Sequence, residues 1–158
     1  MSPIPLPSDG LRIETFSGST NEALALLLPL CGVVFATFDP EYLASRLPHV
    51  ADPHLLLARR GDDTPMGFKL GYRRGGGLFY SWLGGVAPEA RRIGLAARLM
   101  ERQHEEIRAL GYHHVETRTR AENNSMILLN LRHGFHVTGF EIDARGAAVV
   151  TQRKILAE

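Results

Sequence analysis

The sequence predicts a mixed α/β fold of the α+β class, with one central mixed sheet of about seven strands flanked by about four helices. Glycine and proline punctuation cuts the chain into short segments whose apolar period switches between the strand value and the helix value. The resulting order is β-α-α-β-β-β-α-β-α-β-β, in which antiparallel hairpins surround a single central β-α-β unit. A right-handed crossover then sets the strand near residue 114 parallel to, and beside, the strand near residue 80.

Leu11 to Phe16 alternates apolar and polar residues and reads as a first strand. Ser19 or Thr20 can cap a helix that starts at Asn21-Glu22 and breaks near Pro29. Asp39-Pro40 opens a second short helix to about Leu47, with Asp39 as N-cap and Pro40 at its first position. His54–Arg59 and Met66–Tyr72 form a hairpin about Gly61-Asp62-Asp63-Thr64-Pro65. Gly75-Gly76-Gly77 turns the chain into a strand from Leu78 to Val86, which Pro88 ends. A helix from about Gly94 to Leu110 closes at Gly111. His114–Thr119 is a strand, and Asn123–His133 is a helix closed by Gly134. Val137–Ile142 and Ala147–Ile155 make the last hairpin, about Asp143-Ala144-Arg145-Gly146.

With 158 residues, the chain has the length of one domain, 1–158, whose first ten residues read as a loose lead-in. Such a chain can bury a core without disulfides or metal. The longest apolar stretch, Ala23–Phe38, is interrupted by Pro29 and Gly32 and is too short to cross a bilayer. The N-terminus carries prolines and no basic region, so it does not read as a signal peptide. The lone Cys31 fits a reducing compartment. A soluble cytoplasmic protein, monomeric or a small oligomer such as a homodimer, with no membrane partner, is the expectation. A net charge of +1 supplies no global field for nucleic acid. The arginine pairs Arg59/Arg60 and Arg73/Arg74 read as solvated surface.

The chemistry is concentrated in Val86-Ala87-Pro88-Glu89-Ala90-Arg91-Arg92-Ile93-Gly94-Leu95-Ala96. A helix N-terminus presents unpaired N–H groups and partial positive charge, and so receives phosphate. Gly94 and Ala96 are small where a pyrophosphate must approach the backbone. Arg91 and Arg92 stand where guanidinium groups can bond phosphate oxygens. Competing phosphate motifs fail, because Gly75-Gly76-Gly77 precedes a strand and has no Gly-Lys-Ser/Thr after it, and no dinucleotide fingerprint occurs.

Arg91-Arg92-Ile93-Gly94-Leu95-Ala96 resembles the (Arg/Gln)-x-x-Gly-x-(Gly/Ala) acetyl-CoA motif of the GNAT superfamily of N-acetyltransferases. It follows a strand and a Val-x-Pro-Glu, as in that family. Downstream, Asn123-x-x-Met126 and Leu129 to Gly134-Phe135 are similar to the family's Asn-x-x-Ala-x-x-Leu-Tyr-x-x-x-Gly-Phe helix. The resemblance implies the acyl-CoA N-acyltransferase fold, acetyl-CoA as co-substrate, no metal, and direct attack by a primary amine in a ternary complex. It implies that the backbone of Leu83, Gly84, Gly85 and Val86 pairs with the pantetheine arm as an added strand. One of those N–H groups would polarise the thioester carbonyl. The Gly84-Gly85 pair fits a bulge that splays this strand from its neighbour. By the same resemblance Ile93 and Leu95 complete the phosphate loop and Asn130 is a further cofactor contact, while Asn123 reads equally as a helix N-cap and as a cofactor contact.

Asn130 stands where many relatives carry a tyrosine that protonates the departing sulfur, and an amide can only hydrogen-bond. Asn123 and Asn130, two turns apart, share one helix face about 10 Å apart along the axis. Ile127, Leu128 and Leu131 fall on the opposite, core-facing side. An alkylamine near pKa 10.4 is about one part in a thousand neutral at pH 7, so a base is needed. The candidates are Glu116, Tyr80, Ser81, His54, Asp39 and Glu41. The histidines at 113, 114, 133 and 136 lack metal-ligand spacing. The acceptor is a small-molecule or peptide amine: amino acid, polyamine, aminoglycoside or protein N-terminus. The contrasting expectation is a non-catalytic acyl-CoA-binding sensor or scaffold.

Overall fold

The computed structural model describes residues 10–156, so the expected lead-in lies outside the described residues apart from Gly10. The strands are β1 (Arg12–Thr15), β2 (Ala51–Arg59), β3 (Pro65–Gly75), β4 (Leu78–Val86), β5 (His114–Arg120), β6 (His136–Ile142) and β7 (Ala148–Ile155). The helices are α1 (Thr20–Val34), α2 (Pro40–Arg46), α3 (Leu95–Ala109) and α4 (Asn124–Arg132). All strands lie in one seven-stranded sheet of order β1-β2-β3-β4-β5-β7-β6. As the crossover rule requires, β4 and β5 are parallel, with Tyr80 opposite Glu116, and the other neighbours are antiparallel. No helix among the described residues is long and apolar enough to cross a membrane.

Both faces of the sheet are covered, and β2 shows how the sequence arranges this. Its run Leu55-Leu56-Leu57-Ala58 is apolar throughout, because alternate residues enter different cores. Leu55 and Leu57 pack with Leu27, Leu30 and Cys31 of α1 and Leu43 of α2. Leu56 and Ala58 pack with Leu95 and Leu99 of α3. Farther along α3, Met100 and Ile107 close over Phe79, Val115 and Phe135.

Ser19 caps α1 in a reciprocal box, its Oγ accepting from Glu22 N at 3.1 Å while Ser19 N donates to Glu22 Oε1 at 3.2 Å. The break expected at Pro29 does not occur, and α1 runs through it to Val34. Ala25 and Pro29 both lie on the exposed side of the helix, so the carbonyl that loses its donor meets water.

The face assignment of α4 is also corrected. Leu128 and Leu131 are 48% and 43% exposed, whereas Asn130 is only 2% exposed. Asn130 Nδ2 donates to Gln152 Oε1 at 2.9 Å, and Gln152 Nε2 donates to Ile127 O at 3.2 Å. A buried amide is tolerated when its polar atoms are paired, and this pair ties α4 to β7. Asn130→Ala should therefore destabilise the fold by about 1–3 kcal/mol in urea unfolding, because Gln152 Oε1 is left without a donor. An unchanged midpoint would show that the pair contributes nothing.

Candidate active site

The site begins where the sheet opens. β4 and β5 are paired from Leu78/His114 to Ser81/Thr117 and no farther. Thr117 Oγ1 donates to Ser81 O at 3.1 Å at the point of parting. On its other side β4 stays paired with β3 to its end, Val86 opposite Gly67. Leu83 to Val86 thus offer a strand edge toward the gap. The irregularity on β4 is not at the glycines: the register with β3 slips between Ser81/Gly71 and Leu83/Leu70, leaving Trp82 as the extra residue. Gly84 and Gly85 sit in regular register with Lys69 and Phe68. At Gly85 smallness serves close approach instead, since a Cβ there would run into Val34 Cγ1 of α1.

Beyond Val86 the chain makes a short turn over Pro88–Ala90 and enters the loop ahead of α3. Arg92 and Gly94 both take left-handed backbone conformations, at φ 65° and 78°. Gly94 is the N-cap and has no side chain to cap with. The first bond of the helix runs from Arg98 N to Gly94 O at 3.1 Å, so the N–H groups of Leu95, Ala96 and Ala97 have no partner within it. This is an open anion cradle that fits a pyrophosphate. The two arginines differ. Arg91, although exposed, gives its Nε and one terminal nitrogen to Val86 O at 3.1 Å and Val34 O at 2.9 Å, and straps the end of β4 to the end of α1. Arg92 is exposed and has no ion pair among the described residues.

A cavity of about 360 Å³ lies between the β4 edge, α3 and the start of α4. Gly84, Gly85, Val86, Ala96 and Asn123 line it. Asn123 also caps α4, its Oδ1 accepting from Met126 N at 3.3 Å. Asn130 is not part of this lining. Lys69, which sequence reasoning missed, is. Its Nζ donates to Ser81 Oγ at 3.0 Å, beside the parting of the strands, and burial lowers its pKa to about 8. The one signal in the sequence is a lysine amid the apolar run of β3.

A second cavity, about 810 Å³, is bounded by the start of α2, by β4 and β5, and by the β6–β7 turn. Asp39, Glu41, Tyr80, Trp82, Leu83 and Arg118 are among its walls, and Phe35 lines both cavities. The candidate bases fare differently. Glu116 is bonded by Arg153 at 2.6 Å and by Arg74 at 3.4 Å, which holds it as an ion-pair anchor. Tyr80 is buried beneath the Arg74 guanidinium, 4.1 Å from its ring, and burial raises its phenol pKa. Arg74 is 39% exposed, as expected of surface, and it also lines a recess with Tyr80 and Trp82. Ser81 already accepts from Lys69. His54 lies elsewhere, with Nε2 3.2 Å from Glu106 of α3 and its pKa lowered by burial. Asp39 and Glu41 are at the cavity, Asp39 capping α2 through Glu41 N at 3.0 Å. Trp82 Nε1 donates to Tyr42 OH at 3.0 Å across the cavity wall.

A helix start with free N–H groups thus stands next to a parallel strand pair that splits. Over residues 22–135 the chain matches the family model described as "Acetyltransferase (GNAT) family", and it belongs to that family. No curated protein matches it. Among solved structures it is similar to the ribosomal-protein-S18-alanine N-acetyltransferase from Escherichia coli, at 16% identity and a TM-score of 0.78 over 93% of this chain and 96% of that one. It is similar to Ard1 from Thermoplasma volcanium, at 17% identity and a TM-score of 0.75 over 94% and 99%. A GNAT family acetyltransferase from Elizabethkingia anophelis with acetyl-CoA bound aligns at 14% identity and a TM-score of 0.75 over 94% and 99%. At these identities the likeness is one of fold.

Proposed function

We propose that this chain is an N-acetyltransferase that moves an acetyl group from acetyl-CoA to a primary amine by direct attack in a ternary complex. The observation that carries the reading is the unpaired β4 edge beyond Ser81, with a cavity on either side of it. The backbone of Leu83 to Val86 pairs with the pantetheine arm, and one of its N–H groups polarises the thioester carbonyl. The N–H groups of Ile93, Gly94, Leu95 and Ala96, with the Arg92 guanidinium, receive the pyrophosphate. Arg91 holds the loop in place from behind.

Asn130 acts in this reading as a brace for α4, and Lys69 supplies a proton to the departing sulfur. The amine nitrogen bonds the carbonyl carbon and releases a proton to solvent, through Asp39 or Glu41 at the cavity mouth. As the carbon–sulfur bond breaks, Lys69 gives its proton to sulfur and regains one from solvent. Tyr80 shapes the wall, and Glu116 anchors Arg74 beside it. Direct attack also suits Cys31, which is fully buried and whose thiol is pushed up to about 11 by burial.

Release of free CoA thiol from acetyl-CoA, dependent on an added amine and followed over a panel of amino acids, polyamines, aminoglycosides and peptides, tests this. The expected result is release with at least one class, well above hydrolysis. Tight binding of CoA without release for any amine would favour a non-catalytic acyl-CoA sensor.

A further inference from the structure

Beside Trp82 the acceptor cavity continues into a recess of about 360 Å³ between α2, β3, β4 and β5. Its walls are aromatic, from Tyr42, Tyr72, Tyr80 and Trp82. Its charges are Arg46, Arg74 and Arg118, and no carboxylate lines it. Arg74 is occupied by Glu116 and by the ring of Tyr80. The other two are incompletely satisfied. Arg118 gives one terminal nitrogen to Glu141, but its Nε is buried and has no acceptor. Arg46 lies over the Tyr42 ring at 4.1 Å, donates to Tyr42 O at 3.2 Å, and has no carboxylate partner among the described residues.

Both of these arginines also line the larger cavity, where the carboxylates are Asp39, Glu41 and Asp143. Two of those are tied into backbone: Asp39 caps α2, and Asp143 accepts from Arg145 N and Ala147 N, each at 2.9 Å. They do not neutralise the guanidinium groups in the recess. The guanidinium groups of Arg46 and Arg118, which line the recess, can each give a charge-assisted bond to an anionic oxygen there.

We infer that the amine accepted here carries an anionic oxygen group, a carboxylate or a phosphate, which Arg46 and Arg118 receive in the recess beside Trp82. The inference rests on the acyltransfer reading for its place in the reaction. The aromatic walls favour an apolar or aromatic body between the amine and the anion, as in a free amino acid. A peptide N-terminus offers a neutral amide at the same distance, whose carbonyl bonds a guanidinium without the added charge.

Trp82 is the one tryptophan of the chain, so its fluorescence reports ligands in the recess without any turnover. The CoA-loaded protein is titrated with N-acetylphenylalanine, with N-acetylphenylalaninamide and with phenyl phosphate. The acid or the phosphate ester should bind about tenfold or more tightly than the amide, the worth of one charge-assisted bond. Whichever of the two binds more tightly assigns the group. Arg118→Met and, separately, Arg46→Met should each shrink that preference toward parity while CoA affinity stays unchanged, which also verifies the fold. Equal binding of acid, ester and amide, or tighter binding of the amide, overturns the inference, as does a preference that survives in both variants. Failure of the acyltransfer reading would appear separately, as absent thiol release with every amine.

Discussion

Gly94→Glu should leave a folded protein that has lost acetyl-CoA binding, with affinity down by at least about a hundredfold. The position is open, since a Cβ there meets no atom within 4 Å. The strain comes from its φ of 78°, and a non-glycine residue in that region costs about 1–2 kcal/mol. A domain of this size can absorb that amount. The added carboxylate, however, would stand among the unpaired N–H groups of Leu95, Ala96 and Ala97 and occupy the anion position. Gly94→Asn is the control, because asparagine tolerates the left-handed conformation and brings no charge. Calorimetry on both variants separates strain from occupancy. A folded Gly94→Glu protein with undiminished affinity would remove the cofactor site from this loop.

Lys69→Met should lower kcat by roughly 10²–10³-fold with a smaller change in the KM for acetyl-CoA, the pattern of an interaction made in the transition state. The pH profile carries the diagnostic part. As the proton donor, Lys69 must be protonated, so the wild-type kcat should lose this contribution as pH rises through about 8. That limb should be missing in the variant. Stability should move the other way. The folded-state pKa of Lys69 is depressed from 10.5 to about 8, so its burial costs the fold below pH 8, and the cost fades as pH rises toward 10.5. Lys69→Met should accordingly be neutral or stabilising near pH 7, by up to about 3 kcal/mol. A variant with full activity and an unaltered pH profile would make Lys69 a bystander to the chemistry.

The parts of this molecule that were legible in the sequence are those encoded locally. Ser19 with Glu22, Asp39 with Pro40, the glycines at 94, 111 and 134, and the apolar run of β2 each act within a few residues. The element order and the open start of α3 at Gly94 could therefore be read directly. The acceptor end is encoded by contacts that no local pattern announces. Trp82 meets Tyr42 forty positions away, and Arg74 reaches Glu116 over forty-two. Asn130 was misplaced for the same reason. A polar residue in mid-helix reads as a solvent or ligand position until Gln152, on a strand twenty-two residues later, is seen to pair with it. The rotation of α4 then leaves Leu128 and Leu131 outside, against the pattern of the helix itself.

The short β4–β5 ladder gives the sheet an uneven mechanical character. It has four paired positions, against eight between β3 and β4 and seven between β5 and β7. β1 to β4 form one leaf and β5 to β7 another, joined along one short seam, with α3 as the strap between them. A ligand whose amides bond the free edge of β4 lengthens that seam. On the proposed reading the end of β4 should be stiffer with the ligand bound than without it, because the rungs missing on that side arrive with the substrate and depart with the product.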